Sequence, residues 1–89
     1  MGPHPTEDEW QRAVVAYLKA AMREQEIDFG QLSKLLAEAG VDLERVPLAN
    51  KINRGTFSAG FLLQVLSILD IEQTTLDDIA SLAPREDQG

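Results

Sequence analysis

The 89-residue chain is predicted to be all-α, a compact bundle of about five short helices. Three observations predict this. Apolar residues recur at offsets of three and four along most of the chain and nowhere alternate with the period of two that a strand requires. Helix-capping residues precede these stretches at Thr6, Asp28, Ser58 and Thr75. Hydrophobic residues make up 44% of the chain, enough for one ordinary core in a length that leaves little room for a second domain.

Thr6-Glu7-Asp8-Glu9 reads as a capping box, with carboxylates favourably placed at the positive end of the helix dipole. The helix that follows runs to about Glu26. Trp10, Ala13, Val14, Tyr17, Leu18, Ala21 and Met22 form its inner stripe, and Gln11, Arg12, Lys19 and Arg23 are expected to face water. Trp10 and Tyr17 share that stripe with aliphatic neighbours, so core packing is the reading rather than a base-stacking platform.

Asp28-Phe29-Gly30-Gln31 is a second capping signal, with Ile27 placed to staple onto Leu32. A second helix therefore starts at Phe29, buries Leu32, Leu35, Leu36 and Ala39, and ends at Gly40, where a left-handed residue is expected. Lys34 and Glu38 lie outside. The segment 37–46 is long enough for an extra turn of helix plus a loop, with Asp42 capping a short turn through Leu43, Glu44 and Arg45.

Proline is tolerated at the first position of a helix and poorly inside one, which starts the third helix at Pro47. It ends at Arg54 with Gly55 as its cap; Leu48 and Ile52 point inward, and Asn50, Lys51, Asn53 and Arg54 occupy the outer arc. Ser58 caps a fourth helix whose Phe61, Leu62, Val65, Leu66, Ile68 and Leu69 cover more than one face, as expected of a central element. Thr75-Leu76-Asp77-Asp78 is a further capping box, leading into a short helix with Leu76, Ile79 and Leu82 inward and Pro84 as its stop. The domain is thus expected over residues 6–83, between disordered ends 1–5 and 84–89.

Charge and composition narrow the function. With 15 acidic and 8 basic residues the net charge is -7, which repels a nucleic acid at long range and requires any DNA contact to be local and salt-sensitive. Between Arg45 and Leu69 there is no carboxylate, and Arg45, Lys51 and Arg54 form a basic island. The absence of cysteine excludes a disulfide scaffold and a cysteine-bound zinc. His4 is the lone histidine and gives neither a nucleophilic triad nor a histidine-bound metal. The acidic clusters Glu7-Asp8-Glu9 and Asp77-Asp78 are explained by helix N-terminal electrostatics, and there is no glycine-rich phosphate loop. Neither catalysis, cofactor nor metal is expected. No apolar run approaches the ~18 residues of a membrane span and the N-terminus lacks a signal pattern, so the expectation is a soluble, cytoplasmic protein with no membrane partner.

The series Leu32-Ser33-x-x-Leu36, Asn50-Lys51-Ile52-Asn53-Arg54-Gly55, Ser58, Ile68-Leu69-Asp70-Ile71 and Thr75-Leu76-Asp77-Asp78-Ile79 resembles the lambda-repressor-like helix-turn-helix domains over roughly residues 10–82. The chain is also similar to a small group of uncharacterised bacterial proteins with a Lys-Ile-x-Arg-Gly-x-Phe-Ser core, here Lys51 to Ser58. The resemblance implies that the third helix enters the major groove of double-stranded DNA. Asn50 and Lys51 would then face bases, with Arg54, Thr56 and Gln31 at the phosphate backbone, Asn53 in either role and Arg45 in the basic surround. The function implied is DNA binding by a homodimer, as a transcriptional regulator or accessory factor. The alternative is an acidic protein-protein interaction or dimerisation module on the same scaffold. Phe57 separates the two: buried, it anchors the Gly55 turn; exposed, it marks an interface.

Overall fold

Five helices make up the regular structure of residues 4–82, the part of the chain that the computed structural model describes: α1 (Glu7–Glu24), α2 (Phe29–Glu38), α3 (Arg45–Arg54), α4 (Ala59–Ile68) and α5 (Leu76–Ala80). The all-α prediction holds, with no strand among the described residues. Helix α2 packs on α3 and α4, and α1 packs on α3 and α5. None of these helices is long and apolar enough to cross a membrane. The expected stop at Pro84 and the tail 84–89 lie outside the described residues, as do the first three positions of the expected N-terminal segment.

The N-termini form as their residues dictate. Thr6 accepts from the Glu9 amide while Glu9 accepts from the Thr6 amide, and Asp28 and Gln31 make the same reciprocal pair for α2. Ser58 accepts from the Phe61 amide. At α5 only the Thr75 half of the expected box forms, through the Asp78 amide.

The C-termini show a regularity that sequence reading finds only at Gly40. Helices α1, α2 and α4 all close with a left-handed residue, Glu26 (φ 58°), Gly40 (φ 90°) and Asp70 (φ 62°). The next residue in each case is β-branched and apolar, and its amide bonds back to the carbonyl of a buried residue: Ile27 to Met22, Val41 to Leu36, Ile71 to Leu66. This is the Schellman arrangement, in which orphan carbonyls are satisfied while an apolar contact turns the chain back onto the core. Glu26 and Asp70 carry a cost there of about 1–2 kcal/mol that glycine avoids. Glu26→Gly is therefore expected to gain about 0.5–1 kcal/mol after its own entropic cost, raising the melting temperature by several degrees. An unchanged or lower melting temperature would mean that the left-handed cap does not persist in solution.

Leu18, Met22, Leu32, Leu36, Leu48, Ile52, Phe61, Val65, Leu66 and Leu69 form one buried cluster to which α1 through α4 all contribute. Helix α4 with its cap supplies four of these, yet of the helix pairs named above it enters just one, with α2, so it is rich in core residues without being the hub the sequence suggested.

Several local expectations are corrected. Helix α3 starts at Arg45 rather than Pro47, because a proline anywhere in the first turn lacks only an N–H that has no partner within the helix. The segment 37–46 holds no extra turn. The Gly40 cap ends α2, the Ser33 hydroxyl donates to the Leu43 carbonyl at 2.7 Å, and Val41 to Glu44 run without helix, so Asp42 caps nothing. Leu76 and Leu82 do not point inward; they are 70% and 38% exposed, since a five-residue helix has room to press only Ile79 and Ala80 towards the core. Helix α1 ends at Glu24, two residues short of the expected limit, because Glu26 takes the left-handed turn. Gln11 and Arg12 are half-buried rather than water-facing.

Candidate functional site

Leu48 and Ile52 fix the rotation of α3 by pointing into the core. At 100° per residue this leaves Val46, Asn50, Asn53 and Arg54 on the outer arc, and Val46 is 57% exposed. Asn50 and Thr56 are open to solvent with no side-chain hydrogen bond among the described residues. Lys51 lies on the flank and holds its Nζ 4.6 Å from the centre of the Phe61 ring, a cation–π geometry. Phe57, half-buried, packs a tilted ring 5.5 Å from that of Phe61 and so anchors the turn after Gly55 to α4.

The other expected site residues are dispersed. Arg45 sits at the opposite end of α3 from Arg54, roughly 13 Å along the axis and on the reverse face. Its aliphatic stem passes the start of α2, where a Cβ on Gly30 would stand 3.4 Å from the Arg45 Cδ. Gln31 is exposed at that same helix start, with its Oε1 engaged by the Asp28 amide. The basic island read from the sequence is therefore not one ridge; Arg45, Lys51 and Arg54 approach three different neighbours.

What gathers positive charge is a groove between α1 and α3. Arg12, Lys19 and Arg23 of α1 and Asn53 and Arg54 of α3 line an open cavity of about 410 Å³. Asp8, the one carboxylate lining it among the described residues, is paired with Arg12 at 3.3 Å. Lys19 donates to the Asn53 Oδ1 at 2.8 Å, which ties the outer face of α3 to α1. Gln11, also from α1, donates to the Gly55 carbonyl at 3.0 Å, and Gln25 donates to the Leu69 carbonyl. Helix α1 and its cap thus satisfy a carbonyl beyond the end of both α3 and α4.

Sequence reasoning leaves Arg12, Lys19 and Arg23 as solvated charges. Their spacing with Asp8, at steps of four, seven and four, puts all four on one helical face; it gives no sign that α3 lies beside that face.

The fold and groove define a small helical domain with a cationic cleft on a predominantly acidic body. Residues 10–74 match the family described as "Domain of unknown function (DUF6471)", and the chain belongs to that family. The matched span takes in α2, α3, α4 and nearly all of α1, with the lining residues of the groove except Asp8, and stops short of α5. No curated protein and no solved structure matches the chain.

Proposed function

We propose that this is a cytoplasmic DNA-binding domain of the lambda-repressor-like helix-turn-helix kind, acting as a transcriptional regulator or accessory factor, with α3 as the helix presented to the duplex. The observation that carries the reading is the charge distribution around α3. The helix has no carboxylate of its own, and its outer edge adjoins Lys19, Arg23 and Arg12 across the groove.

Asn50 has the exposure and the amide chemistry to pair with an adenine edge, while Lys51 can release Phe61 and donate to guanine. Arg54 and Thr56 are assigned to phosphates; Arg45, on the reverse face of α3, and the Nε2 end of Gln31 beside it would meet a separate stretch of the backbone. Asn53 is assigned to positioning, since Lys19 already occupies its oxygen. A homodimer is part of the proposal, because one helix of this length reads too few base pairs for a specific site.

The test is duplex binding measured at several salt concentrations. A few phosphate contacts give a slope of log affinity against log salt of roughly -3, and Arg54→Ala should shrink its magnitude by about 1. A base-reading Lys51 would instead show as relaxed sequence preference in Lys51→Ala.

A specific observation favours the second reading, an acidic interaction or dimerisation module. Trp10, Val14, Phe57 and Leu62 line an apolar groove of about 280 Å³ between α1 and α4. If mixed-sequence duplex fails to bind even at low salt, the DNA reading falls and this module takes its place.

A further inference from the structure

The groove between α1 and α3 has a ligand chemistry of its own. It concentrates four of the chain's 8 lysines and arginines in a protein of net charge -7. Arg23 and Arg54 have no ion pair and no side-chain hydrogen bond among the described residues, and Asp8, the one carboxylate among the described lining residues, is taken up by Arg12. Like charges gathered this way repel one another, and a multiply charged anion relieves that repulsion.

Three features narrow the class of anion. Arginine presents a planar fork of donors that matches phosphate oxygens two at a time; beside Arg12, which is paired with Asp8, α1 offers the fork of Arg23 and α3 that of Arg54. Lys19 is held by Asn53 and keeps two further N–H donors to turn toward a ligand. No aromatic side chain is among the described lining residues; Val15 and Ala16 are its apolar members, so a nucleobase or other ring would find nothing to stack on. At about 410 Å³ the open groove has room for a short chain of linked phosphates.

We infer that this groove is a phosphate-binding site that recognises a run of adjacent phosphate groups, between Lys19 and Arg23 on one wall and Arg54 on the other. The site stands without the duplex reading, because nothing in it requires α3 to enter a DNA groove. The phosphates come either from a nucleic-acid backbone or from a free phosphorylated compound.

The experiment titrates the isotope-labelled full chain with inorganic tripolyphosphate at low salt, followed by NMR. Saturable shifts are expected at Lys19, Arg23, Asn53 and Arg54. The double variant Arg23→Ala/Arg54→Ala, which alters two exposed side chains, should weaken binding roughly tenfold or more with an unchanged far-ultraviolet spectrum. Lys34→Ala, outside the groove, should leave it unchanged. Citrate, a polyanion without phosphate, should bind more weakly than tripolyphosphate; equal binding would overturn the phosphate assignment.

A short duplex is then added to the tripolyphosphate complex. Displacement identifies the nucleic-acid backbone as the source of the phosphates, and simultaneous binding identifies a free compound; both support the site. Shifts scattered over the surface, or equal affinity in the double variant, would overturn it. If duplex binds with full salt dependence while tripolyphosphate leaves the groove unperturbed, the groove assignment fails and the DNA-binding proposal survives. If tripolyphosphate binds in the groove and no duplex binds, the DNA-binding proposal fails and the phosphate site survives.

Discussion

Leu66→Ala is expected to cost on the order of 2–5 kcal/mol, while Leu63→Ala three residues earlier on the same helix stays within about 0.5 kcal/mol. Leu66 is 8% exposed and belongs to the buried cluster; Leu63 is 64% exposed. Removing the Leu66 side chain forfeits its transfer free energy and leaves a cavity that the close-packed neighbours fill only in part. Its carbonyl also accepts the Ile71 amide at the helix end, so loss of packing there loosens the cap that turns the chain towards α5. A domain of this size has a stability near the low end of about 5–15 kcal/mol, and the larger figure would leave it about half unfolded at room temperature. Chemical denaturation of both variants checks the contrast. Equal effects would mean that α4 is rotated relative to the packing described above.

Gly55→Ala is the second large effect, for two separable reasons. The residue sits at φ 71°, where a side chain costs about 1–3 kcal/mol in backbone strain. A Cβ there would also stand 2.9 Å from the Val15 Cγ2 and 3.4 Å from the Gln11 carbonyl, so α1 would have to move away from the end of α3. The sum is expected to reach several kcal/mol, and the displaced Gln11 amide would lose the Gly55 carbonyl as well. Combining Gly55→Ala with Val15→Ala removes the close contact but not the strain. The double variant should therefore be less damaged than the single-variant costs predict when added. Simple additivity, measured by denaturation, would sink the claim that α1 and the Gly55 turn touch.

The contrast between Leu63 and Leu66 marks where sequence reading stops. Capping signals are local chemistry, and Thr6, Asp28, Ser58 and Thr75 all cap the helices assigned to them. The run Phe61 to Leu69 is apolar nearly all round, so periodicity cannot say which face meets the core; that is decided by the other helices. Two helix ends are invisible in the sequence because Glu26 and Asp70 take a backbone conformation usually given to glycine. Pro47 misleads by two residues because its missing donor is harmless throughout a first turn.

The site is less legible than the fold. Asn50, Lys51, Asn53, Arg54 and Thr56 stand out because they are neighbours in sequence, yet Lys51 rests on a ring from α4 and Asn53 is held by a lysine from α1. Arg12, Lys19 and Arg23 acquire meaning only through a contact between segments more than thirty residues apart, such as Lys19 with Asn53. Local pattern carries no information about such a pair.

Gln11 and Gln25 stand fourteen residues apart on and just beyond α1, close to four whole turns, so their amides emerge on nearly the same side some 21 Å from each other. Each clasps a carbonyl of a different later segment. The first helix is thereby a ruler: adding or deleting one residue between these marks would swing one amide by about 100° and strand its carbonyl. Lengthening the strip between Gly40 and Glu44 disturbs neither mark. Natural variation in chain length should accordingly be tolerated better in that strip, where it shifts the Leu43 carbonyl that Ser33 holds, than in the helix.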